Sequence, residues 1–528
     1  MSSQWRRTLQ RITGLSGLMV ACGLLLTAAC TTGSGANGTP PSDRDIPERG
    51  SLETSEGDPE VEELGEVDGT RAFEVGDVTV LHKETPANSV VAARVYISGG
   101  SANLTEETAG IERLALNTAV NGGTESHPRD EFNAALDSMG SSVGSFDDRD
   151  FSGYTMKSVV DSFDKTWDLM VESMVEPELP EEELERQRER HLADIRALRD
   201  NPDRYVSYVA SKLLFYDHPY DNLQLGEEEK VANFTREEVA AYQRAMLQPD
   251  RMTVVVVGNV SDDEIIERVE PLARIDQEAE IERAELTDFD ADKPRLDVAQ
   301  KDIPTNYIFG LYPAPAAGDE DYEAMRVATE HLKNRLFEEV RTKRNLTYSV
   351  SAGLSDRRTN YGYLYVTAVD PEQTMAVIYH EIDRLKAGEF DEEELDRARN
   401  VYITNHYMSQ ETNDSQASLL ARAHLIEGDW KSHATTIDRL REVTAEDVER
   451  VANEYIKNYH FGFVGNEDAA RESVFLRQEV PEVDEIDEEL PEDGEGSQPP
   501  PPPQPTPEGE SPPAEGEQPA PAPEESDE

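Results

Sequence analysis

Only two cysteines occur in 528 residues, Cys22 and Cys30, and both lie in the first 30 positions. The rest of the chain therefore has no disulfide and no thiolate metal site. Basic residues are scarce: 50 Lys and Arg stand against 110 Asp and Glu, a net charge of −60. None follows Arg477, where 18 acidic residues lie, which leaves −42 for everything before that tail. A chain this acidic repels phosphodiester backbones and anionic lipid headgroups, which argues against a nucleic-acid partner. Hydrophobic content is low, at 37%, and one long apolar run is present, "ITGLSGLMVACGLLLTAAC" at 12–30.

That run follows Arg6, Arg7 and Arg11 and reads as an export signal over residues 1–30. It is short for a spanning helix, which is the second reading. Its end, "LLLTAAC", resembles a bacterial lipoprotein box with Cys30 as the lipidated residue; Thr27 departs from the usual Leu, and Cys22 is a rival. A lipid anchor on a Gly/Pro/Glu-rich linker, 31–68, places the protein in the cell envelope, at the outer membrane facing the periplasm. The tail, 481–528, is rich in Pro and Glu and holds too little apolar surface to offset the entropy of ordering.

The body between these ends repeats itself. "TREEVAAYQRAMLQPDRMTVVVVGN" (235–259) and "TAEDVERVANEYIKNYHFGFVGN" (444–466) each open on Thr with an acid three residues on, Glu238 or Asp447. Each predicts a boxed helix start, a helix, and a buried strand ending in Gly-Asn. Both halves also begin with strand-like alternation, "DVTVLHKETPANSVVAARVYISGG" and "RLDVAQKDIPTNYIFGLYPAP", each suggesting an antiparallel pair. The pattern predicts an α+β protein of two homologous domains, 69–275 and 294–480, joined by a linker at 276–293. Each is an antiparallel sheet with helices on one face.

Four stretches, in order, resemble the pitrilysin/insulinase family of zinc peptidases in its short two-domain form, akin to mitochondrial processing peptidase subunits. They are "GIERLALNTAVNGGT", "LADIRALRDNPDRY", "HPYDNLQLGEEEKVANFTREEV" and "NRLFEEVRTKRNLTYSVSA", and the likeness covers residues 70–475. The resemblance aligns the first stretch with the family's H-x-x-E-H zinc helix. Here Arg113 stands at the first His, Leu116 at the catalytic Glu and Asn117 at the second His; Asp194 falls at the third ligand. Catalytic zinc needs three protein ligands and an open position, which this set does not supply. An Arg113–Asp194 ion pair is the expected replacement. A different metal site from Glu112, His191 and Asp194 is an alternative, weaker than a local His–Asp pair.

The fourth stretch keeps what the first lost. Arg341 and Tyr348 match the family's Arg and Tyr, which the resemblance implies hold the substrate backbone. Asn345 replaces a common Gly, a tolerable change in a left-handed turn. The plainer alternative has Arg341 capping a helix and Tyr348 packed in a sheet. The resemblance thus implies a non-catalytic subunit with no cofactor of its own. Its partner would be a second family member carrying zinc and an intact H-x-x-E-H, and its substrate a peptide. A lipid-anchored scaffold without a peptidase partner is the competing reading. "GSSVG" (140–144) mimics a serine-hydrolase elbow, but helix precedes it and strand follows, so Gly140 reads as a helix C-cap rather than Ser142 as a nucleophile. His127 and His218 show no partner pattern.

Overall fold

The computed structural model describes residues 59–221, 224–275 and 281–483. The expected signal peptide and nearly all of the expected tail lie outside the described residues. The first half contributes strands β1 (Val61–Val67), β2 (Thr70–Val75), β3 (Val78–Glu84), β4 (Val90–Ser98), β5 (Ser142–Asp147), β6 (Phe151–Val159) and β7 (Met252–Gly258). Its helices are α1 (Ile111–Gly122), α2 (Arg129–Met139), α3 (Phe163–Val175), α4 (Glu181–Asp200), α5 (Pro202–Leu214), α6 (Glu228–Asn233), α7 (Arg236–Met246) and α8 (Asp262–Ala273). The second half holds β8 (Arg295–Gln300), β9 (Asn306–Ala314), β10 (Val350–Leu354), β11 (Asn360–Ala368) and β12 (His460–Gly465). Its helices are α9 (Tyr322–Leu336), α10 (Pro371–Lys386), α11 (Glu392–Met408), α12 (Asn413–Leu425), α13 (Thr436–Glu442), α14 (Ala445–Tyr455) and α15 (Glu472–Phe475).

The repeat is structural. The seven-stranded sheet runs β1-β2-β3-β7-β4-β6-β5 and the five-stranded sheet β10-β11-β9-β12-β8. Read outward from β3 and from β8, the five strands follow one order, with β7 and β12 equivalent. The two capping boxes form as expected: Thr235 with Glu238 opens α7, and Thr444 with Asp447 opens α14. Each helix then leads into an interior strand, β7 or β12, whose residues are buried throughout because both sheet faces are covered.

Three details differ from the sequence reading. β3 and β4 do not pair; β7 inserts between them, parallel to β3 and antiparallel to β4. β12 does the same between β8 and β9, so each sheet has one parallel ladder. The linker drawn to residue 68 ends earlier, since β1 begins at Val61 and pairs with β2. The second faces of the sheets are not bare. α12 lies on the first sheet, where Ala417, Leu420 and Ala421 meet Leu81, Tyr96, Val255 and Val257. α5 lies on the second, where Val206 and Val209 meet Val464 and Ala210 meets Leu311. Each half lends one helix to the other's sheet. Gly462 permits the approach of α5, because a Cβ there would stand 2.6 Å from the Val206 carbonyl oxygen.

Candidate functional site

Helix α1 starts at Gly110, which is left-handed (φ 89°) and has no room for a side chain; a Cβ would stand 2.8 Å from Val231 and 2.9 Å from the Leu225 carbonyl. This turn sets the helix that would carry zinc ligands. Arg113 Nη2 donates to Asp194 Oδ2 at 2.8 Å, the expected ion pair, joining α1 to α4. Both side chains are partly exposed, at 30% and 43%, so the pair contributes roughly 0–1 kcal/mol. Asn117 Oδ1 accepts from Ser145 Oγ on β5 at 3.3 Å. Leu116 does not face an open pocket. It is 1% exposed and packs into the sheet core with Ala119, Val120 and the β-strand valines.

Behind Arg113 lies a buried acid. Glu112 is 4% exposed and its Oε2 accepts from the Tyr242 hydroxyl on α7 at 2.7 Å. Burial pushes its carboxyl up to about 7, against the Tyr242 hydrogen bond, and the nearby Asp147 charge adds to the rise. Burial likewise raises Asp147, with Arg113 and Gln224 opposing. His191 is buried on α4, and burial, then the Arg113 charge, pulls it down to about 4, so it is neutral. Among the described residues no three His, Cys, Asp or Glu side chains converge as a metal site, so Glu112, His191 and Asp194 do not form the alternative one. The residues do not fit zinc: a cation fills the first ligand position, a core leucine the base position, and the one carboxylate is taken by the arginine.

The second group is built differently. Helix α9 runs directly into a π-helical turn, Phe337–Lys343. A widened turn of this kind is rare and is often found at functional sites. It holds the Arg341 guanidinium carbon 4.8 Å from the Phe337 ring centre and 5.0 Å from that of Tyr348. Asn345 is left-handed (φ 51°), and its amide donates to the Arg341 carbonyl at 3.1 Å, turning the chain so that Tyr348 meets Arg341. Phe337 and Tyr348 are 47% and 38% exposed. Among the described residues no carboxylate pairs with Arg341, so the donors of its guanidinium are presented rather than used. Tyr348 lies before β10 rather than in it, and Arg341 is one of the basic residues in the last turn of the π-helical segment. Sequence reasoning missed Phe337; its four-residue spacing from Arg341 was the available signal.

The other candidates are structural. Gly140 caps α2 in the left-handed region (φ 62°), and Ser142 opens β5. His127 Nδ1 lies 2.7 Å from Glu172 Oε2, and His218 Nε2 lies 2.9 Å from the Thr287 carbonyl oxygen.

Comparison with known proteins decides the family. The profile described as insulinase (peptidase family M16) matches residues 79–226, and the one described as peptidase M16 inactive domain matches residues 233–402. The chain belongs to the insulinase family. Among relatives, an uncharacterized zinc protease of Bacillus subtilis, YmxG, is 24% identical over 382 residues, covering 71% of this chain and 91% of that protein. The zinc protease PqqE of Helicobacter pylori is 23% identical over 383 residues, covering 70% and 86%. Of solved structures, a peptidase M16 inactive domain protein from Pseudomonas fluorescens superposes with a TM-score of 0.68 at 18% identity, covering 75% of this chain and 98% of that one. A protease from Helicobacter pylori gives 0.65 at 19%, covering 78% and 100%. The insulinase fold thus spans both halves described above.

Proposed function

We propose that this chain is the non-catalytic subunit of a heterodimeric zinc endopeptidase of the insulinase family. It binds peptides or unfolded segments through Arg341 and Tyr348, while a second family member with an intact H-x-x-E-H performs hydrolysis. The observation that supports this is a contrast between the two groups. Arg113 is tied to Asp194 and Leu116 is sunk in the core, whereas the Arg341 guanidinium, between two exposed rings, has no carboxylate partner among the described residues. An unpaired planar fork beside a phenol suits a peptide carbonyl, since both are donors aimed outward.

The test is co-expression with a family member that carries the intact motif. Peptide hydrolysis is expected from the co-purified pair and from neither this chain nor a partner lacking its motif Glu. Failure of any such member to co-purify would leave the scaffold reading ahead.

The same reading places the complex in the bacterial envelope, held through Cys30. Among the described residues no helix is long and apolar enough to cross a membrane. Cys30→Ser is expected to move the protein from the membrane to the soluble fraction, because one diacylated Cys supplies the anchor. Release by Cys22→Ser instead would assign the lipid to the other cysteine.

A further inference from the structure

The run "RLFEEVRTKR", 335–344, contains four cations: Arg335, Arg341, Lys343 and Arg344. Three of them converge on one carboxylate. Glu339 Oε1 accepts from Arg335 Nη2 at 3.0 Å and from Lys343 Nζ at 2.8 Å, and Oε2 accepts from Arg344 Nη1 at 2.9 Å. Arg344 Nη1 also donates to the Glu339 carbonyl at 3.1 Å. The Glu339 side chain is 9% exposed, so its contacts with Arg335 and Arg344 are shielded and charge-assisted, whereas Lys343 is more exposed and also meets Glu338 Oε1 at 2.9 Å. Arg335 is anchored in turn to Glu381 Oε2 on α10 at 3.0 Å. The donors bracket the π-helical turn: Arg335 lies in the helix before it, Lys343 and Arg344 at its exit. One buried carboxylate therefore spans the turn, and Arg341 is the one cation of the run it does not engage.

We propose that Glu339 is the positioning residue of Arg341. It clamps the π-helical turn from both ends and occupies the three neighbouring cations, so that Arg341 alone stands between Phe337 and Tyr348 and faces the ligand. This rests on the peptide-binding reading of Arg341 given above.

The experiment uses the full chain and Glu339→Gln, which keeps the shape and removes the charge. In its crystal structure the Arg341 guanidinium is expected to leave both rings, moving beyond the ~6 Å reach of a cation–π contact. Retention of both contacts overturns the clamp. Affinity is read with a fluorescein-labelled unstructured peptide of mixed sequence. Glu339→Gln and Arg341→Ala are each expected to weaken binding about tenfold, and the double variant no further, because non-additivity is the mark of one residue acting through another. Additive losses would make Glu339 a separate stabiliser and overturn the inference. If Arg341→Ala leaves affinity unchanged, the peptide-binding reading fails, and with it the claim that Glu339 positions a ligand-binding group, whatever the crystal structure shows of the turn. Should Glu339→Gln not fold, Lys343→Gln removes one arm of the clamp from the exposed side. It is expected to lower affinity in the wild-type background and not in Arg341→Ala, and no effect in either overturns the clamp.

Discussion

Replacing Glu112 by Gln is expected to flatten the pH dependence of stability. Relative to the parent, the variant should gain about 2–3 kcal/mol between pH 5 and pH 8.5. The Glu112 carboxyl is buried, and its second oxygen, Oε1, has no hydrogen-bond partner among the described residues. In the folded chain it titrates at about 7 instead of 4.5, because burial disfavours the anion. The folded state therefore holds this proton more tightly than the unfolded state. The resulting stability is fully present below the unfolded value of 4.5 and is lost as pH rises through about 7. Gln carries no such proton, and its carbonyl can still accept from the Tyr242 hydroxyl. Starting at pH 5 keeps the protein off its isoelectric point of 4.4. Chemical denaturation of both proteins across this range reads the difference. Parallel curves would mean that Glu112 ionises like a surface carboxylate.

The larger expected effect on activity belongs to Arg341 and Tyr348. In the proposed pair with a catalytic partner, Tyr348→Phe removes one phenolic donor and almost no volume. Loss of one donor to a developing oxyanion costs on the order of 3 kcal/mol, roughly a hundredfold in turnover. Folding and assembly should be nearly unchanged, since the ring stays beside the guanidinium. Arg341→Lys should also lower turnover, because an ammonium supplies neither the planar fork nor the flat surface that stacks between Phe337 and Tyr348. Turnover of the co-purified pair is the measurement, with the yield of complex as control. Parent-like turnover in both variants, with assembly intact, would make the stack structural.

What was legible in the sequence was local or repeated. The Thr–Glu and Thr–Asp boxes and the apolar "MTVVVVG" announce the same helix–strand unit twice, because caps and doubly buried strands carry their signal in a few adjacent residues. The Arg113–Asp194 pair was legible because two residues of opposite charge stood at positions that the family brings together. Long-range placement was not. Nothing near Val78 says that a strand beginning at Met252 will lie beside it, nor does the apolar stripe of α5 name the second sheet as its seat. Leu116 stands at the base position of the resemblance, yet a leucine there joins the sheet core. β1 falls within the expected linker because Glu62, Glu63 and Glu66 make it acidic; charge on an edge strand keeps that edge from pairing with other chains.

The central claim is that the position of the family's zinc helix is closed here by Arg113 and Asp194, with hydrolysis assigned to the proposed partner. Zinc content of the purified full chain, determined by elemental analysis after equilibration with zinc and removal of the excess, tests it most directly. Far less than one zinc per chain is expected, with no change on Asp194→Ala. About one zinc per chain, lost on Asp194→Ala, would contradict the account.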